Sequence, residues 1–184
     1  GDSITTGDEN VAIGHGALDG ATTVDGNTAV GTDAMGGALT GGYNTAVGYN
    51  AMLVATGVTG TVAIGNQCLD AATTGDNNTG VGAGALGANT TGHSNVAVGH
   101  NAGAAVTSGT NNVLLGKNSG DAITTGAVNT AIGDGSLGAL TASTNPNVAV
   151  GGNALTTMTD GDGGNTACGY RTLEALTTGS GNTA

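Results

Sequence analysis

One five-residue stretch, Asn44-Thr45-Ala46-Val47-Gly48, organises the sequence, because close variants of it return throughout the chain. Its asparagine is position 1 of a repeat and its glycine is position 5. The position-5 glycines are 17 residues apart seven times and then 18 residues apart twice. A period this regular indicates a repeat architecture. The repeats begin at Asn10, Asn27, Asn44, Thr61, Asn78, Asn95, Asn112, Asn129, Asn147, Asn165 and Asn182.

The composition excludes a core built on large side chains. The 184 residues include 38 glycines, no Trp or Phe and three Tyr. Position 3 is nearly always Ala, and position 4 is Val, Ile, Leu or Cys. The core is therefore predicted to be thin, with small side chains between closely spaced backbones. The regular placement of Val, Ile and Leu argues against a flexible glycine-rich linker.

The length of the repeat favours an all-β, parallel β-solenoid, or β-roll, with one coil per repeat. Two short strands are predicted in each coil, near positions 2–5 and 8–12, with glycine-bearing turns between them. About ten coils at strand spacing give a rod about 48 Å long. Residues 1–184 form one repetitive segment, and both ends fall inside a repeat, so we expect a piece of a longer protein.

Each repeat position then becomes a column along the rod, and two columns have clear structural roles. Asparagines at position 1 are predicted to stack as an amide ladder. Glycines at position 5 are predicted to allow a positive φ or a close backbone approach where the strand ends. The ladder residues are Asn10, Asn27, Asn44, Asn78, Asn95, Asn112, Asn129, Asn147 and Asn165. The turn glycines are Gly14, Gly31, Gly48, Gly65, Gly82, Gly99, Gly116, Gly133, Gly151 and Gly169.

Both faces of the first predicted strand are apolar, because successive side chains point to opposite sides. We expect Val47 and its equivalents to fill the roll, and Ala46 and its equivalents to face outward. A small outward column would let neighbouring rolls approach closely. The sequence therefore predicts self-association, although the period does not fix the number of copies.

The run Asn95-Val96-Ala97-Val98-Gly99-His100-Asn101-Ala102 resembles the head repeat of trimeric autotransporter adhesins of the YadA type. It is also similar to the NTAVG-type repeats of bacteriophage tail fibres. This resemblance implies a left-handed roll, a parallel homotrimer and an extracellular fibre on a cell surface or virion. It also implies attachment to a host-cell receptor or glycan. The period of 17 is longer than that of the adhesin head, so bacterial adhesin and phage fibre shaft both stay open.

Several function classes are disfavoured by charge and by the repeat itself. Two Lys+Arg against 13 Asp+Glu give a net charge of −11 and leave no basic patch for nucleic acid. No apolar run approaches the roughly 20 residues that span a bilayer. A uniform rod offers rows of like residues, whereas catalysis needs unlike residues in a pocket, so we expect neither an enzyme nor a cofactor.

No metal site is predicted either. His15 and His100 share position 6 but lie five coils apart, about 24 Å at strand spacing. The run from Asp160 to Asn165 lacks the ligand pattern of an EF-hand. Because position 6 carries varied side chains, we interpret it as an exposed contact edge. Its candidate residues are His15, Tyr49, His100, Lys117 and Tyr170.

Two further features of the columns have alternative readings. Cys68 and Cys168 each replace a small residue of the repeat. They lie six coils apart, about 28 Å at strand spacing, which is too far for a disulfide, so we expect two buried free thiols. A threonine column at position 13 offers an ice-binding surface as a less favoured alternative. Thr73 and Thr74 are adjacent, so both cannot point from one flat strand face.

Overall fold

The fold is a parallel β-solenoid, seen in a computed structural model that describes residues 3–142, 146–159 and 163–184. Each coil contributes one three-residue strand, and the ten strands form one parallel sheet in chain order. Thr45 pairs with Thr28 on one side and with Val62 on the other, so equivalent positions lie directly over one another. The predicted solenoid is confirmed. The strands are β1 Val11–Ile13, β2 Thr28–Val30, β3 Thr45–Val47, β4 Val62–Ile64, β5 Thr79–Val81, β6 Val96–Val98, β7 Val113–Leu115, β8 Thr130–Ile132, β9 Val148–Val150 and β10 Thr166–Cys168.

The position-5 glycines end each strand for two separate reasons. Gly48 has a φ of +141°, a conformation that residues with a side chain rarely adopt. A Cβ atom at Gly48 would also lie 2.4 Å from the carbonyl oxygen of Gly65 in the next coil. All ten position-5 glycines have φ between 126° and 141°. Both a left-handed backbone and a close approach between coils therefore require glycine here.

The second strand predicted at positions 8–12 does not form in the described coils. Asn50 at position 7 and Met52 at position 9 have φ of +55° and +53°, whereas an extended strand needs a negative φ. This wall of the coil is a series of turns. It is still bonded along the rod, because the Met52 N–H donates to the Cys68 carbonyl at 3.0 Å. The Val54 N–H likewise donates to the Asp70 carbonyl at 3.2 Å.

The predicted orientation of the strands is wrong: the alanines face the interior and the valines face outward. Ala46 is fully buried, whereas Ile64 is 40% exposed. The reason is the second wall of turns, from which long side chains such as Met52 project into the roll and are fully buried. A Cβ atom at Gly80 on the strand would lie 3.3 Å from Cδ1 of Leu69 on that wall. Only a small inward side chain fits most strands.

The position-1 asparagines form a hydrogen-bonded ladder. The Asn112 side-chain amide donates to Oδ1 of Asn95 at 3.0 Å and to the Gly126 carbonyl at 2.8 Å. Its own Oδ1 accepts the Asn129 backbone N–H at 3.0 Å and the Asn129 side-chain amide at 3.2 Å. One asparagine thus closes its own coil and joins it to both neighbours. These bonds offset the cost of burying its amide.

The position-13 threonines form a second ladder. The Thr73 hydroxyl donates to the Thr90 carbonyl at 2.8 Å, and the Thr90 hydroxyl donates to the Thr107 carbonyl at 3.1 Å. The same bond joins Thr56 to Thr73 and Thr124 to Thr141. These hydroxyl protons are therefore used to hold successive coils together.

Candidate functional site

The outer face of the sheet carries a row of apolar side chains along the rod. It is formed by position 4, here named the valine column, together with the Val and Thr residues of position 2. In the valine column, Ile13 is 60% exposed, Ile64 40% and Val98 39%. The column contains Ile13, Val30, Val47, Ile64, Val81, Val98, Leu115, Ile132, Val150 and Cys168. It carries no charged residue over all ten strands, which marks it as a candidate interaction surface.

This surface is regular because the register is strict. Val30, Val47 and Ile64 are direct partners across β2, β3 and β4. Strand spacing places the first and last members of the valine column about 43 Å apart. The face is therefore a narrow stripe rather than a pocket. No ligand-sized cavity is found in the parts of the chain that the structure describes.

The predicted contact edge at position 6 lies beside this stripe, just beyond the strand ends. His15, His100 and Lys117 are exposed, Tyr49 is 54% exposed and Tyr170 is 73% exposed. These five side chains occupy separate coils and do not form one cluster. Their role in contacting a receptor or glycan stays a prediction.

Two of the edge residues have ionic neighbours. Nδ1 of His15 lies 3.9 Å from Oδ1 of Asp33 in the next coil. The Tyr170 ring lies 6.0 Å from the Arg171 guanidinium, which in turn donates to Glu174 at 2.6 Å. The hydrogen bond and charge of Glu174 raise the pKa of Arg171. All of these groups are close to solvent, where such pairs contribute little stability.

The two cysteines differ in their surroundings, and the expectation for one of them is wrong. Cys68 is buried, and burial raises the pKa of its thiol to about 12. Cys168 is exposed, because it occupies the valine column and that column faces outward. The Cys168 thiol thus lies on the candidate interaction surface.

The structure brings together no metal-binding set among the residues it describes. His15 and His100 remain on separate coils, and within the described ranges no group of three His, Cys, Asp or Glu side chains is close enough to hold an ion. Asp160, Gly161 and Asp162 of the weak calcium-loop pattern lie outside the described residues.

One exposed aromatic residue is missed by the sequence reasoning. Tyr43, just before β3, is 71% exposed, and its ring lies across Gly26 of the preceding coil. A Cβ atom at Gly26 would be 2.8 Å from Cδ1 of Tyr43. The available signal is the placement of a large aromatic ring at a turn position that is otherwise mostly small or polar.

Comparison with known proteins finds no matching family model, no matching curated protein and no matching solved structure. Within the described ranges there is also no helix that is both long and apolar enough to cross a membrane.

Proposed function

We propose that this chain is a structural segment of an extracellular fibre, in which copies of the chain pack side by side through the valine column. The observation that carries the proposal is the outward, charge-free stripe of Val, Ile and Leu on a sheet whose other face is already buried. Water contact along this stripe is unfavourable, and a second copy offers an apolar stripe of the same length. The fibre would attach a bacterial cell or a phage particle to another surface.

Three parallel copies are what the resemblance to YadA-type heads and phage tail-fibre repeats implies. The size of the stripe adds a physical condition. Strands of three residues over ten coils give a face of about 10 Å by about 43 Å, or roughly 430 Å² per copy. Stable interfaces usually bury about 800 Å² per partner. Association of this ten-coil segment is therefore expected to depend on protein concentration.

The first experiment compares Val98→Lys with the matched control Val54→Lys. Val98 in the valine column is 39% exposed, whereas Val54 on the wall of turns is 44% exposed. Val98→Lys places like charges opposite each other in the assembly and should weaken association at least tenfold, about 1.4 kcal/mol. Val54→Lys should leave association unchanged. Sedimentation over a wide concentration range, with far-UV circular dichroism to verify folding, measures both effects.

Two results would contradict the proposal. One is a native chain that stays monomeric at every concentration while folded. The other is an equal loss of association in both lysine variants, because the valine column would then have no special role.

Cys168 provides a second test, with the native chain as the reference. In a parallel, in-register assembly, Cys168 lies opposite its copies, so a short bifunctional thiol reagent should link chains together. In an antiparallel assembly it would lie about 43 Å from its equivalent, and no link should form. Cys168→Ser should abolish linking, whereas Cys68→Ser should not. Linking that persists in Cys168→Ser would come from Cys68, which is buried, and would contradict an assembly through the valine column.

A further inference from the structure

The coils are numbered from the repeat that begins at Asn10, which is coil 1. Coils 4 and 5, residues 61–94, depart from the repeat in three places, and the first is the asparagine ladder. Thr61 replaces the asparagine, so Oδ1 of Asn44 accepts only the Thr61 backbone N–H, at 3.0 Å. The Thr61 hydroxyl accepts the Asn78 N–H at 3.2 Å. The Asn78 side-chain amide keeps its bond to the Gly92 carbonyl, at 2.8 Å, and donates to the Gly75 carbonyl, at 3.0 Å, in place of a ladder neighbour. The side-chain-to-side-chain bond of the ladder is absent at both steps.

The second departure is a buried amide at position 12, which elsewhere carries mostly apolar side chains. Asn89 is fully buried between the Gly75 and Gly92 turns, and neither its Nδ2 nor its Oδ1 has a hydrogen-bond partner. Among the described residues, Oδ1 of Asn118 is the one other buried side-chain N or O atom without a hydrogen-bond partner. A buried polar group without a partner is destabilising. Val106 occupies the equivalent position one coil later.

The third departure is on the strand. Gly80 stands in the alanine column of β5, where the missing side chain makes room for the Cys68 thiol. A Cβ atom at Gly80 would lie 2.6 Å from Sγ of Cys68. The pair fills the interior, but glycine within a strand is less favourable than alanine because it loses more conformational freedom on folding.

We propose that the interior of the rod opens more readily at residues 61–94 than in the internal coils on either side. In a stacked repeat protein each coil contacts only its neighbours, so local defects lower the stability of their own coils. Three defects in two adjacent coils should therefore make this segment less stable to local unfolding than the coils before and after it; we call it the joint. The inference concerns the single chain and holds whether or not copies assemble into a fibre.

Thiol labelling measures this opening directly, because Cys68 is buried inside the segment. Ser136 occupies the same repeat position in coil 8, is also buried and is the matched control. One variant, Cys168→Ser, keeps only the Cys68 thiol. The other, Cys68→Ser with Cys168→Ser and Ser136→Cys, places a single thiol in coil 8. Labelling of a buried thiol follows the population of the open state when reclosing is fast.

The Cys68 thiol should be labelled at least about tenfold faster than the S136C thiol in the absence of denaturant. Its labelling rate should also depend less on urea, because local opening exposes less surface than global unfolding does. Adding Thr61→Asn and Asn89→Val should slow labelling of Cys68 at least about tenfold. Equal labelling rates at the two sites with equal urea dependence would overturn the proposal.

Hydrogen exchange tests the same inference on the native chain, without any variant. The backbone N–H groups of Leu69 and Leu86 bond to the next coil at 3.0 Å. The N–H groups of Met35 and Leu137 make the same bond at 2.9 Å and 3.0 Å in coils 2 and 8. The Leu69 and Leu86 amides should exchange at least about tenfold faster. Slower or equal exchange at Leu69 and Leu86 would refute a joint in this segment.

Discussion

Coil 3 and coil 7 fill the same interior from opposite walls. In coil 3 the strand supplies Ala46, and the wall of turns supplies the fully buried Met52. In coil 7 the strand supplies the fully buried Leu114, and the equivalent turn position is Gly120. A Cβ atom at Gly120 would lie 2.7 Å from Cδ2 of Leu114. The interior must be filled, but either wall can supply the large side chain.

The change of wall from which the large side chain comes affects two coils. A Cβ atom at Gly103, the turn position of coil 6, would lie 2.6 Å from Cδ1 of Leu114. One leucine on β7 therefore occupies the space left by two glycines. Val106 and Ile123, both fully buried at position 12, fill the remainder where coil 3 has only Ala55. The repeat tolerates large local changes provided that the total packed volume is kept.

The largest expected effect comes from removing Leu114, which fills the interior from the strand. Leu114→Ala should cost about 4 kcal/mol of unfolding free energy, because Gly103 and Gly120 cannot fill the cavity. Urea unfolding followed by circular dichroism measures the cost. The neighbouring Leu115→Ala removes an outward side chain and should cost about 1 kcal/mol at concentrations where the chain is monomeric. Similar costs at the two positions would contradict the packing of coil 7.

A smaller effect is expected from adding a side chain at Gly120 on the wall of turns. Gly120→Ala should cost about 3 kcal/mol, from overpacking against Leu114 and from a left-handed backbone with φ of +55°. Gly164→Ala is the control for the backbone cost alone, since its φ is +72° and the nearest heavy atom is 3.8 Å away. The control should cost about 1 kcal/mol. In a Leu114→Ala background, Gly120→Ala should cost less than it does in the native chain but more than the control, because a Cβ atom there would still lie 2.8 Å from Cδ1 of Ile123.

The ladder gives a third contrast, since coil 3 is followed by Thr61 and coil 7 by an asparagine. Asn112→Ala removes the acceptor of the Asn129 N–H and should cost about 2 kcal/mol. Asn112→Thr should cost about 1 kcal/mol, because a hydroxyl can accept this N–H as it does at Thr61. Thermal or urea unfolding of both variants tests the order. A threonine variant as unstable as the alanine variant would show that the Thr61 arrangement does not transfer.

The smallest expected effect is a difference in pH dependence. Coil 7 has Asp121 where coil 3 has Leu53, and partial burial raises the pKa of Asp121 despite opposing backbone hydrogen bonds. The native state then holds the proton more tightly than the unfolded chain does. Stability should therefore fall as the pH rises from the ordinary aspartate pKa through the raised folded value. Asp121→Asn should reduce this fall, measured as the urea midpoint against pH.

Partial burial also raises the pKa of Asp70 in coil 4. Asp70 should therefore lower stability over the same rise in pH. Asp70→Asn combined with Asp121→Asn should therefore flatten the acidic part of the profile further than either change alone. If the urea midpoint fell more steeply with rising pH in the double variant, the predicted direction of the pH dependence would be contradicted.

The sequence predicts the stack of coils well, because the period forces equivalent residues into columns. The strand at positions 2–4 and the need for glycine at position 5 follow from the same pattern. The orientation of Ala46 and Val47 does not follow, because alternation separates two faces without saying which one is inside. That choice is made by Met52 on the other wall, whose length leaves room for only a small partner.

The wall of turns itself is hard to predict. Leucine and methionine seldom adopt a positive φ, yet Leu18, Met35 and Met52 have φ between 51° and 53°. Propensity therefore favours a strand where the chain makes a turn. For the candidate surface, exposure of the position-6 edge is predictable from its varied composition. The valine stripe is not, since it depends on the orientation that alternation leaves open.

The position of Leu114 has a consequence for how genes of this kind can change in length. Recombination that removes one whole coil leaves most columns matched, because each residue meets another of its own type. Loss of coil 7 alone would leave Gly103 without the leucine that fills its space, and loss of coil 6 alone would place Leu114 against Leu86. Coils 6 and 7 can therefore be lost or duplicated only as a pair. Deletion of a single coil should therefore be best tolerated away from coupled pairs such as Gly103 with Leu114 and Cys68 with Gly80.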